Sequence, residues 1–239
     1  MRTVKGVVTD TFRTSPGKSP PSGARRLAAP PRPRLRGVSH AFAAAAALVA
    51  WIALVTIARS DRARVAAMVY GGSLFTLFFV SALYHRREWS RRARRVIRAL
   101  DHSAIYLLIA GTCTPLALLL PDPVRSRSLT LVWGGALLGV LKVTLWVRAP
   151  KKVGVALHVL VGWLGVSLFP PLWKTLGAQY VLLLALGGLA YTAGAFVYAR
   201  RRPNPYPAVF GYHEVFHALV IAAAAGHFTV AAAAIVRMS

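Results

Sequence analysis

The sequence predicts an all-α integral membrane protein, a bundle of seven transmembrane helices with its N-terminus in the cytoplasm. Three observations lead there. The chain of 239 residues is 56% hydrophobic yet carries a formal charge of +24, a pairing that a soluble domain could not reconcile. Its apolar residues fall into seven runs long enough to span a hydrocarbon core, which takes about 20 residues for a helix crossing roughly 30 Å. Its charges lie between those runs, and mostly on one side of the membrane.

Residues 1–36 come first and differ in kind from the rest. They hold six prolines, nine Lys/Arg and one Asp, a composition that cannot bury enough apolar area to offset its ordering entropy. A disordered, basic, Pro/Arg-rich cytoplasmic tail is expected, followed by a transmembrane domain over 37–239. The acid-poor tail loosely matches a transit peptide but lacks an amphipathic apolar face. A signal peptide fits less well, because the first span starts late and lacks a small-residue cleavage site.

The spans are expected at roughly 38–57, 65–85, 100–120, 129–147, 153–170, 179–198 and 211–236. Gly and Pro occur in several, which membrane helices tolerate. The Ala- and Gly-rich stretches at 41–47, 222–225 and 187–188 are read as sites of close helix packing. The lone Cys113 falls in the third span, so no internal disulfide is possible.

Orientation follows from loop charge. With seven spans, the tail shares a side with the even-numbered loops. Beyond the tail's nine cations, that side carries seven at 86–98, three at 148–152 and three at 200–202, so 22 in all. The opposite side carries seven, and Lys142 lies inside the fourth span. The same distribution argues against nucleic acid as a partner, since only the tail and short loops could supply a surface and no recognition motif appears. Membrane lipids are the expected partners, with the Arg cluster at 91–98 suited to anionic head groups. Nothing in the sequence fixes an oligomeric state.

Ionisable residues within spans are costly and therefore functional candidates. Six of the seven histidines map to the cytoplasmic ends of helices: His40, His85, His102, His158, His213 and His217, with only His227 deeper. His213 and His217 leave one helix face a turn apart, a two-point metal clamp. His85, at the same depth, is the expected third ligand, and three His with one open position is the arrangement of catalytic zinc. Ser81 lies one turn before His85 on its face, and Asp101 stands at the same level to accept a proton or orient a ligand. His40, His102, His158 and His227, taken singly, are read as interfacial residues paired with lipid phosphate or backbone carbonyls.

His213-Glu-Val-Phe-His217 also spells H-E-x-x-H, the zinc metalloprotease signature with Glu as general base. Here Glu214 lies about 100° round the helix from His213, free either to serve the metal or to face the cytoplasm. No second protease motif accompanies it.

The residues also form four ordered motifs: Ser81-Ala-Leu-Tyr-His85, Leu100-Asp-His-Ser-Ala-Ile-Tyr106, Ala110-Gly-Thr-Cys-Thr-Pro115, and Gly211-Tyr-His-Glu-Val-Phe-His217 followed by Gly226-His-Phe228. From about Gly37 to the C-terminus the chain resembles the hemolysin III family, bacterial relatives of the progestin and adipoQ receptors and more distantly of alkaline ceramidases. The resemblance implies a seven-helix bundle with cytoplasmic N-terminus. It also implies one zinc near the cytoplasmic face on His85, His213 and His217, with Ser81 and Asp101 as the other polar members of the site. Cys113 departs from the motif, which usually has Tyr there. Glu214 is not required by the wider pattern, which weakens the protease reading.

Two classes of function follow. One is a zinc-dependent hydrolase of lipid amides or esters, ceramidase-like, with Asp101 handling the proton and Ser81 bonding the oxyanion. The other is non-enzymatic: a channel- or pore-forming hemolysin, or a receptor-like sensor of lipid or membrane state with structural zinc. Polar residues confined to one end suit a pocket better than a wide pore, which needs them along its length.

Overall fold

The computed structural model describes residues 33–146 and 149–239. The expected tail lies outside the described residues as far as residue 32, as do loop residues 147 and 148. Residues 34 and 35 donate backbone hydrogen bonds to the carbonyls of Ala208 and Val209, so the last part of the expected tail is tied into the domain.

Seven apolar helical spans are present. They are α1 (Val38–Ile57), α2 (Asp61–Arg86), α3 (Arg91–Leu118), α4 (Val124–Leu145), the broken pair α5 (Lys151–Trp163) and α6 (Phe169–Thr175), α7 (Ala178–Arg200) and α8 (Tyr212–Met238). The chain is therefore a multi-pass membrane protein with a seven-helix bundle. Sequential neighbours pack antiparallel, and α8 lies inside the bundle against α1, α2, α3 and α7.

Three helices, α2, α3 and α4, begin well before hydropathy predicts, and for α2 and α3 the reason is local. Ser60 accepts a hydrogen bond from Ala63 N to cap α2, and Ser90 caps α3 in the same way through Ala93 N. The Arg-rich stretch at 91–98 is thus not a loop. It forms the first two turns of α3, extending past the apolar part of the span.

The fifth span, expected as one helix, is interrupted by a 3-10 segment at Leu164–Leu168. Pro170 and Pro171 lack N–H groups, so the carbonyls of Val166 and Ser167 have no i+4 donor and the backbone tightens before α6 begins.

Packing is inside-out relative to a soluble protein. Phe42, Val49, Leu138, Leu145, Leu160 and Leu182 are exposed on the bundle surface, while many small side chains lie among the large ones of its interior. Ala63, Ala66, Ala67, Ala104, Ala224 and Ala231 all lie in one core cluster. Such residues let helix backbones approach where lipid provides no hydrophobic drive. At one end Ser60 Oγ also donates to the carbonyl of Met238 at 2.7 Å, tying the α1–α2 turn to the end of α8. The opposite end carries the site.

Candidate metal centre

His85 lies in the last turn of α2, and His213 and His217 in the first two turns of α8. Each offers one ring nitrogen, and the three nitrogens lie within 4.8 Å of one another. His213 Nε2 stands 3.1 Å from His85 Nε2. The three rings are mutually inclined, by 73° for His85 and His213 and by 60° for each of the other two pairs.

Tetrahedral zinc with Zn–N bonds of about 2.0–2.1 Å requires nitrogens about 3.4 Å apart, close to the separation seen for His85 and His213. In addition, His217 Nδ1 is buried with no hydrogen-bond partner among the described residues. The donor set fits zinc.

Sequence reasoning missed His40. Its ring is 3% exposed, stacks on His217 with centroids 3.7 Å apart and planes 8° apart, and bonds through Nδ1 to Ser81 Oγ at 2.9 Å. Ser81 therefore meets the cluster through His40. The signal for His40 was its depth, matching that of His85. What the sequence lacked was the adjacency of α1 and α8.

Gly37 makes that approach possible. It precedes α1 with φ +76°, and a Cβ there would stand 2.7 Å from His85 Cβ. A glycine both adopts the left-handed backbone and leaves room for the ligand-bearing turn.

Asp101 lines the same cavity as the three histidines. Its side chain is 13% exposed, with Oδ2 3.5 Å from His102 Nδ1, and its carboxylate accepts no hydrogen bond among the described residues. His102, His158 and His227 pair with backbone carbonyls: His102 Nδ1 with Arg98, His158 Nδ1 with Gly154, and His227 Nε2 with Leu184. The expected pairing with backbone carbonyls is present for these three, which also line the cavity.

Glu214 takes neither of the roles considered for it. It is 2% exposed, accepts from Arg36 Nε at 2.6 Å through one oxygen, and accepts from Gly211 N at 2.9 Å through the other. Both oxygens are occupied in capping α8 and anchoring the segment before α1. A carboxylate committed in this way is not a general base for a metal-activated water.

The cavity beside the histidines has a volume of about 810 Å³. Beyond the polar cluster its walls are mainly apolar, with Leu108, Ile109 and Leu116 from α3, Val159 from α5, Phe169 from α6 and Leu184 from α7. Only Val161 of α5 is buried, because the cavity separates that helix from the core.

Comparison with known proteins agrees with this architecture. The family model described as "Haemolysin-III related" matches residues 29–228. Hemolysin-3 of Bacillus cereus is 32% identical over 195 residues, covering 80% of this chain and 86% of the relative. The Hemolysin-3 homolog of Bacillus subtilis (strain 168) is 30% identical over 161 residues, 67% of this chain and 72% of the relative. The human monocyte to macrophage differentiation factor is 27% identical over 195 residues, 80% of this chain and 79% of the relative. With a seven-helix bundle, four ordered motifs of which three carry site residues, and a family match over most of its length, the chain belongs to the haemolysin-III-related family of membrane proteins.

Proposed function

We propose that this chain is a zinc-dependent hydrolase of lipid amides, ceramidase-like in its chemistry, with its site at the cytoplasmic end of the bundle. One observation carries the reading: three convergent histidines open onto a long apolar cavity within a membrane domain. His85, His213 and His217 hold the metal. Zinc, when bound, supplies Lewis acidity toward a carbonyl and lowers the pKa of water.

The chain's own residues do the rest. The cavity wall orients the acyl chain so that its amide lies beside the histidines. Asp101 accepts the proton released on attack and returns it to the departing amine. In the His40 tautomer that carries its proton on Nδ1, the Ser81 hydroxyl accepts from the ring at 2.9 Å and keeps its own proton to donate toward the carbonyl oxygen as charge develops there. The charge asymmetry between the two sets of loops supports the cytoplasmic orientation.

The test is release of fatty acid from an N-acyl lipid by detergent-purified protein, zinc-loaded or chelator-treated. Zinc-dependent turnover, with Asp101→Asn losing about 10²–10⁴-fold in kcat while retaining metal, supports the reading. Zinc without turnover moves the site to a structural or sensing role. A pore is less well supported: it rests on the name Hemolysin-3 carried by relatives, and the inner walls are mainly apolar. Leakage from protein-loaded vesicles tests it directly.

A further inference from the structure

The cavity carries cations that the metal chemistry does not use. Arg87, Arg94, Arg95, Arg98, Lys142 and Lys151 line it together with Asp101, its one carboxylate. None of the six is ion-paired among the described residues. The arginines and Lys151 are exposed at the helix ends, where topology alone accounts for basic residues.

Lys142 differs. It lies in the last turn of α4 but is half-buried rather than exposed, and projects toward α5, where a methyl added at Gly154 would stand 3.2 Å from its Nζ. A half-buried ammonium with no anionic partner among the described residues is costly at the end of a span. Here it sits on the wall of the same cavity that the histidines face.

The cavity runs along α3 from Asp101 to Leu116, fifteen residues apart, or about 22 Å of helix, and its lining there turns mainly apolar from Ile105 onward. One leaflet of hydrocarbon is about 15 Å deep. Cations at the rim, histidines just inside and an apolar channel beyond form a sequence that matches an acidic head group, an amide and an acyl chain.

We propose that the substrate is an acyl amide whose head group carries an acidic group, phosphate or carboxylate, held by Lys142 with Lys151 and Arg98 at the rim. The proposal rests on the hydrolase reading for its amide, but the preference for an anion can be measured without turnover. Neutral amides of the ceramide type lack the group these cations recognise.

Three probes share one acyl chain and one amide: N-palmitoylglycine, N-palmitoyl-phosphoethanolamine and N-palmitoylethanolamine. Binding is read as the thermal shift of the zinc-loaded protein in non-ionic detergent at fixed salt, and hydrolysis is read on the same samples. The carboxylate and phosphate probes should bind about tenfold more tightly than the neutral one, as expected for one charge-assisted hydrogen bond. Which of the two binds more tightly tells a carboxylate head group from a phosphate.

Lys142→Gln should erase most of that preference by raising KM or Kd for the anionic probes, leaving the neutral probe as it was. Lys174→Gln removes a cation outside the cavity and should change nothing. Equal binding of all three probes to wild type would overturn the proposal. So would an equal loss of the preference in Lys174→Gln, or its full retention in the double variant Lys142→Gln/Lys151→Gln. Preferential binding without turnover would support the anion site and count against the hydrolase reading alone.

Discussion

His40 lies flat on His217, with ring centroids 3.7 Å apart and planes inclined by 8°, so the first helix of the bundle reaches the proposed ligand set on the last. Stacking fixes the plane of the His217 ring, and the bond from His40 to Ser81 fixes His40 in turn. Hydrogen-bonded groups that orient metal ligands typically contribute 10–100-fold to metal affinity, and a ring stacked flat on a ligand is expected to act at the lower end of that range. His40→Ala should therefore weaken zinc retention by about tenfold or more, whereas His40→Phe, which keeps the stack, should lose less. Competition with a chromophoric chelator measures both.

The pairing of Arg36 with Glu214 predicts a stability phenotype. Removing one member of a buried ion pair costs about 3–5 kcal/mol. Because Arg36 retains some solvent contact, the lower end of that range is expected for Glu214→Ala. Glu214→Gln, which still accepts from Gly211 N, should lose less and should keep its zinc. A general base would give the opposite pattern in Glu214→Gln, with normal unfolding and lost turnover. Thermal unfolding in detergent beside a turnover assay separates the two.

Gly37→Ala tests the close approach of the α1 entry to His85. The left-handed backbone alone costs a non-glycine residue about 1–2 kcal/mol, and the new methyl would meet His85 Cβ at 2.7 Å. Lower thermal stability together with weaker zinc binding is expected. A loss of stability with unchanged zinc affinity would mean that α1 yields without disturbing His85.

Metal removal should destabilise the wild-type domain, since a ligand that binds only the folded state adds to its stability. A chelator should lower Tm in the wild type and leave His213→Ala unmoved. Equal shifts in both proteins would point to a metal held elsewhere.

The bundle was legible in the sequence because bilayer thickness imposes a length on each apolar run. His85, His213 and His217 were legible because their depth and the i,i+4 spacing on α8 brought them to one level. Local exceptions were harder to see. The start of α3 at Arg91 depends on the Ser90 cap, which hydropathy does not register, and the break at Leu164–Leu168 depends on two prolines that lie beyond it.

The environments of His40 and Glu214 were not legible, because each depends on which helices become neighbours. Glu214 sits in a motif that suggests catalysis, yet its partner is Arg36 at the far end of the chain. His40 resembled an ordinary interfacial histidine until α1 was seen against α8.

The most direct test of the central claim is zinc stoichiometry by elemental analysis of the detergent-purified wild-type protein beside His85→Ala, His213→Ala and His217→Ala. The account predicts about one zinc per chain in the wild type and its loss in each variant, with helical content by circular dichroism retained. A wild-type protein without zinc, or three variants that all keep it, would contradict the account.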